Sequence, residues 1–165
     1  MSENTTHLLS VKDLHTSFTT DHGEVQAVNG VSFNLDAGKV LGIVGESGSG
    51  KTTIGRAVMR VYNSNVSGEI LYQGQPIVGK ISKDKMKALR MEMQMIFQDP
   101  MASLNERAKV DYIISEGLYN YHLFENEADR LRKVEEIMQE VGLSKDSSSR
   151  FPHEFSGGQR QRIGI

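Results

Sequence analysis

The residues whose types and spacing best suit chemistry lie at Gly45–Thr52, in the order Gly-Glu-Ser-Gly-Ser-Gly-Lys-Thr. This order fits the G-x-x-x-x-G-K-[ST] pattern of phosphate-binding loops. Glycines let several backbone N–H groups point at a phosphate, and the following helix adds its positive end. Lys51 would reach the β- and γ-phosphates, and the Thr52 hydroxyl would bind Mg²⁺. The pattern favours nucleotide binding over the alternative interpretation, a Gly/Ser-rich surface turn without a ligand. It leaves open which class of P-loop protein this is.

The segments on either side of the loop have the character that this chemistry requires. Val40–Val44 is a short apolar run, which predicts a buried strand. Thr52–Val61 has apolar residues at helical spacing, which predicts a helix. Its apolar residues are Ile54, Ala57, Val58 and Val61.

Upstream of the loop, the sequence predicts two strands, Leu8–Thr19 and Glu24–Leu35, joined by a turn at Asp21–Gly23. Phe18 lies near the end of the first strand, where an aromatic side chain ordinarily belongs to the core. Downstream, Ser67–Gly74 predicts a short strand closed by a glycine turn.

The second half of the chain is predicted to be mainly helical. A charged helix is expected at Ser82–Arg90, and a short apolar strand, Gln94–Phe97, should end at Gln98. Helices are then expected in Glu106–Phe124 and Asn126–Val141. Asn126 caps the second of these, Gly142 ends it, and two charge pairs stabilise its exposed side. The pairs are Asp129/Lys133 and Arg132/Glu136, and the apolar face is Leu131, Val134, Ile137, Met138 and Val141.

A second anion-binding pattern, Ser156-Gly157-Gly158-Gln159, precedes the start of another helix. Its small residues let backbone N–H groups approach phosphate, and Ser156 adds a hydroxyl beside the positive helix end. Ser-Gly-Gly is also a common turn, so the pattern carries weight only together with the phosphate-binding loop.

Composition narrows the classes of function. A chain of 165 residues suits one domain with a real core, and its formal charge of −2 lacks the basic footprint of a nucleic-acid-binding protein. There is no cysteine, which excludes a disulfide framework and thiol catalysis. The first seven residues lack a signal-peptide pattern, and no apolar run approaches the ~20 residues of a membrane-spanning helix. Any link to a membrane is therefore expected through a partner protein.

In combination, these motifs resemble those of the ATP-binding subunits of ABC transporters. Gly45–Thr52 resembles the Walker A motif, Gln98 the Q-loop glutamine, and Phe155–Gln159 the signature motif, with Phe in place of the usual Leu. Phe18 falls where the family's A-loop aromatic stacks on adenine. The resemblance implies an α/β fold: a P-loop NTPase core with an N-terminal antiparallel β subdomain and a helical subdomain, as an incomplete ABC ATPase domain.

The resemblance also implies how residues 1–165 are divided. Residues 1–45 hold the strands that lead to the P-loop, and 45–61 hold the P-loop and its helix. The Q-loop region covers 93–105, the helical subdomain 106–150, and the signature motif with its helix start 155–165.

Each motif residue receives a role from the resemblance. Phe18 would stack on adenine, Thr53 would contact the α-phosphate, and Thr52 and Gln98 would bind Mg²⁺. The phosphates of ATP would be held by Gly45, Glu46, Ser47, Gly48, Ser49, Gly50 and Lys51. The signature residues would close over ATP held by the opposite subunit, so that two chains enclose two nucleotides. These residues are Ser156, Gly157, Gly158 and Gln159.

The segments Phe97–Asn105 and Phe151–Ile163 are similar to the oligopeptide/dipeptide/nickel importer branch, and most of all to its second oligopeptide ATPase. The implied partners are a sister ABC ATPase, two membrane permease subunits and, indirectly, a substrate-binding protein, with no nucleic acid. The implied location is the cytoplasmic face of the cell membrane. A soluble ABC ATPase of DNA repair or translation, another P-loop enzyme and a non-catalytic interaction fragment are the alternatives.

The family pattern continues beyond the signature helix to a Walker B strand ending in Asp, a catalytic Glu and a switch His, which these 165 residues do not contain. Phosphoryl transfer to water needs a positioned base and a complete charge clamp. We therefore expect an N-terminal portion of an ATPase that binds ATP without turnover. We also expect the strand before the P-loop to lack its neighbour in the sheet.

Overall fold

Two long strands open the structure, a computed structural model that describes residues 7–61 and 65–165. Strand β1 (Leu9–Thr20) pairs with β2 (Gly23–Leu35) as an antiparallel hairpin. This confirms the two strands predicted from the sequence: three of their four ends are displaced by one residue, and the second strand ends at Leu35 as predicted. Leu9, Val11 and Leu14 of β1 and Val28 of β2 are buried, so part of one face of the hairpin belongs to the core.

Strand β3 (Asn65–Tyr72) pairs with the other edge of β1, and the two-residue strand β4 (Gln75–Pro76) pairs with β3. The sheet is antiparallel throughout, in the order β2-β1-β3-β4. The glycine turn expected at the end of β3 is present at Gln73–Gly74, where both residues have positive φ. Because β1 pairs with β2 on one side and with β3 on the other, it lies in the interior of the sheet.

Helix α1 (Lys51–Met59) follows the phosphate-binding loop and packs on this sheet. Ile54, Ala57 and Val58 are buried, as predicted. The prediction that Val61 continues the apolar side of this helix is wrong, because the helix ends before Val61, which is 51% exposed. The core of this unit is formed by Leu9, Val11, Leu14, Val28, Ile54, Ala57, Val58, Ile70 and Ile77.

The strand predicted at Val40–Val44 does not form. The run has no regular secondary structure, and Val40 and Val44 are 99% and 93% exposed. In the described residues no strand pairs with it, so its backbone has no ladder and its side chains have no layer to pack against. The prediction of a buried strand at this position is therefore wrong.

Helix α2 (Lys83–Glu92) begins after Ser82, whose side chain accepts a hydrogen bond from the Lys85 N–H. This confirms the predicted charged helix, which begins one residue later and ends two residues later than expected. The predicted strand Gln94–Phe97 is wrong, since the segment has no regular structure and Ile96 is 62% exposed. It lacks a pairing strand in the described part of the chain, for the same physical reason as Val40–Val44.

The chain divides into two compact units, residues 1–95 and residues 96–165. The second unit contains helices α3 (Val110–Tyr121), α4 (Glu127–Glu140) and α5 (Gly157–Ile163). Short 3₁₀ turns occur at Pro100–Ser103, Lys145–Ser147 and Pro152–Glu154. Its core is formed by Val110, Val134, Met138, Leu143, Phe155 and Ile163.

The predicted ends of α4 are confirmed. The Asn126 side chain accepts a hydrogen bond from the Asp129 N–H at 3.0 Å, and Gly142 follows the helix with φ +70°. Both predicted charge pairs also form, with Asp129–Lys133 at 2.9 Å and Arg132–Glu136 at 2.6 Å. The predicted apolar face is too wide, because Ile137 is 47% exposed while Val134 and Met138 are buried.

Candidate functional site

The phosphate-binding loop enters α1 through Gly50, which has a left-handed conformation with φ +89°. A Cβ at this position would lie 2.4 Å from the Ala27 carbonyl oxygen on β2, far inside contact distance. Gly48 also has positive φ, +79°, but a Cβ there would meet open space. Gly50 is thus required by both conformation and close packing, whereas Gly48 is required by conformation alone.

The first turn of α1 is well suited to an anion. No side chain caps its N-terminus, and no acidic residue lies in its first turn. The helix ladder begins with the Ile54 N–H donating to the Gly50 carbonyl at 2.9 Å, so the N–H groups of the three preceding helix residues have no acceptor within α1. This combination fits a phosphate, which carries the negative charge that the helix end lacks.

The Lys51 side chain folds back over the loop that precedes it and contacts the backbone there. Its Nζ donates to the Gly45 carbonyl at 2.9 Å and to the Glu46 carbonyl at 2.5 Å, and lies 3.4 Å from the Ser49 hydroxyl. An ionised phosphate oxygen is a stronger partner for an ammonium than a neutral carbonyl. A phosphate entering this loop would therefore compete directly for Lys51.

Phe18 lies on the strand pair that adjoins the loop. It pairs with Val25 of β2, which is 53% exposed, and Ala27 two residues further along β2 is the residue against which Gly50 packs. Thr52, the predicted magnesium ligand, is exposed at the start of α1, and Thr53 is half-buried beside it. The first unit thus contains Phe18, the glycine loop, Lys51, Thr52 and Thr53, and β2 is the strand that links Phe18 to the loop.

Gln98 lies in the second unit, in an exposed segment next to Asp99. The Asp99 carboxylate accepts hydrogen bonds from the Met101 and Ala102 N–H groups at 3.2 and 3.4 Å, which fixes the turn that follows. Gln98 is therefore the last residue before a structured turn.

The second anion-binding pattern begins α5, as predicted. The Ser156 hydroxyl accepts from the Gln159 N–H at 3.4 Å, and the Gln159 side-chain oxygen accepts from the Ser156 N–H at 2.9 Å. This reciprocal capping leaves the Ser156 O–H and the Gln159 amide NH₂ as potential donors. A Cβ added to Gly157 or Gly158 would meet nothing within 4 Å, so the surface there is open to the approach of another molecule.

Sequence reasoning missed four residues that make contacts beside this motif in the fold, namely Glu106, His153, Arg160 and Arg162. Glu106 lies 3.6 Å from Arg160 and 4.0 Å from His153, and Arg162 reaches carbonyl groups at the end of α4. The sequence carries little indication of these contacts, because the partners are 20 to 54 residues apart along the chain and share no motif spacing. These residues make ion pairs or hydrogen bonds beside the signature motif, and none of them is among the predicted binding residues.

Comparison with known proteins adds a decisive observation: a sequence model described as "ABC transporter" matches residues 28–165. The chain belongs to the ABC transporter family. The match includes the phosphate-binding loop, Gln98 and the signature pattern, so membership of the family and the α/β class of fold are confirmed.

Curated members of the family narrow the similarity. The chain is 55% identical over 158 residues to the oligopeptide transport ATP-binding protein OppF of Streptococcus pyogenes, covering 96% of this chain and 51% of that protein. It is 48% identical over 161 residues to OppF of Bacillus subtilis, and 46% identical over 160 to the dipeptide transport ATP-binding protein DppF of Lactococcus lactis. These matches cover 98% and 96% of this chain, and 52% and 51% of the relatives. The chain therefore spans about half the length of these family members.

Solved structures of the family show the same fold. The cbiO1 subunit of Clostridium perfringens, part of the ABC transporter complex cbiONQ, matches with a TM-score of 0.72 and 27% identity over 96% of this chain and 59% of that one. The ATP-binding cassette MJ0796, described as a dimer bound to ADP and Pi, matches with a TM-score of 0.77 and 20% identity over 94% and 66%. The latter similarity supports the fold alone.

Proposed function

We propose that this chain is the nucleotide-binding portion of an ATP-binding, energy-coupling subunit of an ABC importer for oligopeptides. The geometry of the phosphate-binding loop carries the proposal: Gly50 packed on Ala27, an uncapped helix start and Lys51 beside it. The oligopeptide assignment rests on the similarity to OppF and DppF proteins.

In this proposal the first unit holds ATP. The loop N–H groups and Lys51 bind the phosphates, Thr53 contacts the α-phosphate, and Phe18 stacks on adenine with the modest energy typical of an exposed ring contact. Thr52 would bind Mg²⁺, which would neutralise negative charge that develops on the phosphates. Gln98 remains the other predicted Mg²⁺ ligand. Lys51 gives up its carbonyl partners Gly45 and Glu46 in exchange for phosphate oxygens.

The second unit acts on a different nucleotide. Ser156 and Gln159, with the open backbone at Gly157 and Gly158, contact the ATP bound by a sister ATPase subunit, so that two nucleotides are enclosed between two chains. A ligand that makes contacts only in the paired state shifts the equilibrium toward that state. The resulting movement of the subunits drives solute transport through two permease subunits.

The proposed location is the cytoplasmic face of the cell membrane, with attachment through the permease. None of the helices in the described part of the chain has the length and apolar character needed to cross a bilayer. The solute reaches the permease from a substrate-binding protein and does not contact this chain.

We propose ATP hydrolysis as an activity of the full-length protein. The OppF relatives are about twice as long as this chain. We expect the 165 residues alone to bind ATP without sustained turnover. Phosphoryl transfer to water requires a positioned base and a complete charge clamp, and the resemblance assigns neither to any residue present.

The test separates the two predicted binding surfaces. Lys51→Ala should lower the affinity of the chain for ATP by about 100-fold or more, because it removes the only side-chain cation of the loop. Ser156→Ala should leave that affinity unchanged and prevent ATP-dependent pairing with the sister subunit. Equal loss of ATP binding in both variants, measured by titration calorimetry, would contradict the assignment of Ser156 to the other nucleotide.

Steady-state hydrolysis supplies a second test. If the purified 165-residue chain hydrolysed ATP and Lys51→Ala abolished that activity, the proposal of binding without turnover would be wrong.

A further inference from the structure

Arg162 joins the signature motif to the end of α4. Its Nε donates to the Gly158 carbonyl at 3.3 Å, and its Nη1 donates to the Val141 and Gly142 carbonyls, each at 3.2 Å. One guanidinium therefore holds a residue of the motif and two residues of another helix end. Sequence motifs gave no indication of this link.

The C-terminal end of α4 is a favourable place for this cation. The last carbonyls of a helix have no N–H partner within the helix and carry its partial negative charge. Val141 is the capping residue that directly follows α4, and no basic residue lies in the helix's own last turn. Arg162 supplies that missing positive charge from α5, and its planar fork of donors bonds in two directions at once.

Gly142 makes room for the contact. Its φ of +70° suits glycine, and a Cβ there would lie 3.0 Å from Nη1 of Arg162. A side chain at 142 would thus press directly on the guanidinium. The glycine that ends α4 also permits the approach of Arg162.

The two elements joined by Arg162 are both fixed in the core of the second unit. Met138 and Leu143 lie on either side of the end of α4, and Phe155 and Ile163 lie on either side of the signature residues; all four are buried in one cluster. The capping hydrogen bonds between Ser156 and Gln159 fix the local shape of the motif. These capping bonds lie within α5, whereas the hydrogen bonds of Arg162 to Val141 and Gly142 join α5 to the end of α4.

We propose that Arg162 is a positioning residue for the signature motif, which sets the direction of Ser156 and Gln159 through the Gly158 carbonyl. The inference rests on the proposed function, in which these residues contact ATP held by the sister subunit. Recognition of this kind requires placement within about 0.5 Å and 10–20°. Arg162 therefore affects pairing of the subunits and leaves nucleotide binding by this chain's own loop unchanged.

The test uses the full-length protein assembled with its sister ATPase and permease. Arg162→Lys keeps the charge, but one ammonium nitrogen cannot occupy the positions of both Nε and Nη1. Gly142→Ala presses on the guanidinium without changing it. Each should raise the ATP concentration for half-maximal subunit pairing roughly tenfold or more, as expected for the loss of one hydrogen bond from a charged group. KM for ATP should rise with pairing, while kcat changes little.

The two substitutions should also depend on each other. Because both act on the same contact, the double variant should show a smaller pairing defect than the product of the two single effects. Arg107→Lys is the matched control: Arg107 is an exposed arginine of the same unit, and its side chain has no ion pair within the described residues. It should pair at the wild-type ATP concentration.

Each outcome decides the proposal. Wild-type pairing in Arg162→Lys, or a lowered thermal midpoint without a pairing defect, would show that Arg162 only stabilises the fold. Fully independent effects of Arg162→Lys and Gly142→Ala would also overturn the inference. Ser156→Ala separates failure of the proposed function from failure of the positioning role of Arg162. If Ser156→Ala pairs normally, the proposed role of the signature motif is wrong. If Ser156→Ala is defective and Arg162→Lys is not, only the role of Arg162 is refuted.

Discussion

Substitution of two glycines in the same loop would separate the cost of backbone conformation from the cost of close packing. Gly48 and Gly50 both have positive φ, +79° and +89°. A Cβ at 48 would meet open space, whereas a Cβ at 50 would lie 2.4 Å from the Ala27 carbonyl oxygen. Gly48→Ala is thus a control within the same loop for Gly50→Ala.

The expected magnitudes follow from this difference. Placing alanine in a left-handed conformation costs about 1–2 kcal/mol, which applies to both variants. Gly50→Ala must also move either the loop or β2, because the clash is with backbone, and forced shifts of this kind typically cost a further ~1–3 kcal/mol. We therefore expect a loss of unfolding free energy of about 1–2 kcal/mol for Gly48→Ala and about 2–5 kcal/mol for Gly50→Ala.

Urea denaturation followed by circular dichroism would measure both values, and titration with ATP would measure the effect on the loop. Movement of Gly50 shifts the N–H groups at the start of α1, so the affinity of Gly50→Ala should fall at least tenfold further than that of Gly48→Ala, a difference of ~1.4 kcal/mol. Equal losses of stability and of affinity in the two variants would refute the argument that Ala27 and Gly50 must be in contact for the loop to bind phosphate.

Three further predictions concern α4. Asn126→Ala removes the cap of the helix and should lower the unfolding free energy by about 1 kcal/mol, measured by urea denaturation, whereas Asn126→Asp should retain most of it. Lys133 and Arg132 hold the pKa of Asp129 at about 2, and Arg130 lowers the pKa of Glu127. Stability from these carboxylates is therefore complete above their ordinary pKa values and should be lost as pH falls from about 4 to about 2; thermal midpoints in 1 M NaCl should show a smaller loss, because salt screens exposed pairs. Arg130, 4% exposed and bonded to Glu127 and Ser115, should cost about 1–3 kcal/mol on replacement by Met. That value is below the range for a fully buried ion pair because the Glu127 side chain is 62% exposed and can return to water; a loss above 5 kcal/mol would contradict this reasoning.

The parts of the fold that depend on nearby residues were predictable from the sequence. The hairpin of β1 and β2 follows from alternation and a short turn, and both ends of α4 follow from Asn126 and Gly142. The phosphate-binding loop was predictable for the same reason, since glycines and Lys51 act within eight consecutive residues. Each of these features carries its own physical cause within a short stretch of chain.

Features that depend on distant partners were not predictable. Val40–Val44 has the composition of a buried strand, but strand formation requires a neighbour, and none pairs with it in the described residues. Ile137 follows the helical period and is nevertheless 47% exposed, because none of the described elements buries it. The bridge from Arg162 to Gly142 joins positions 20 residues apart, and only the fold reveals it.

The exposed run Val40–Val44 has a mechanical consequence for the loop beside it. Val44 is bonded directly to Gly45, whose carbonyl is one of the two that hold Lys51. Any surface that covers this run also restrains the first residue of the loop, and a loop with fewer accessible arrangements loses less entropy when it closes on a phosphate. Shielding these five residues from water should therefore favour binding of a phosphate by the loop.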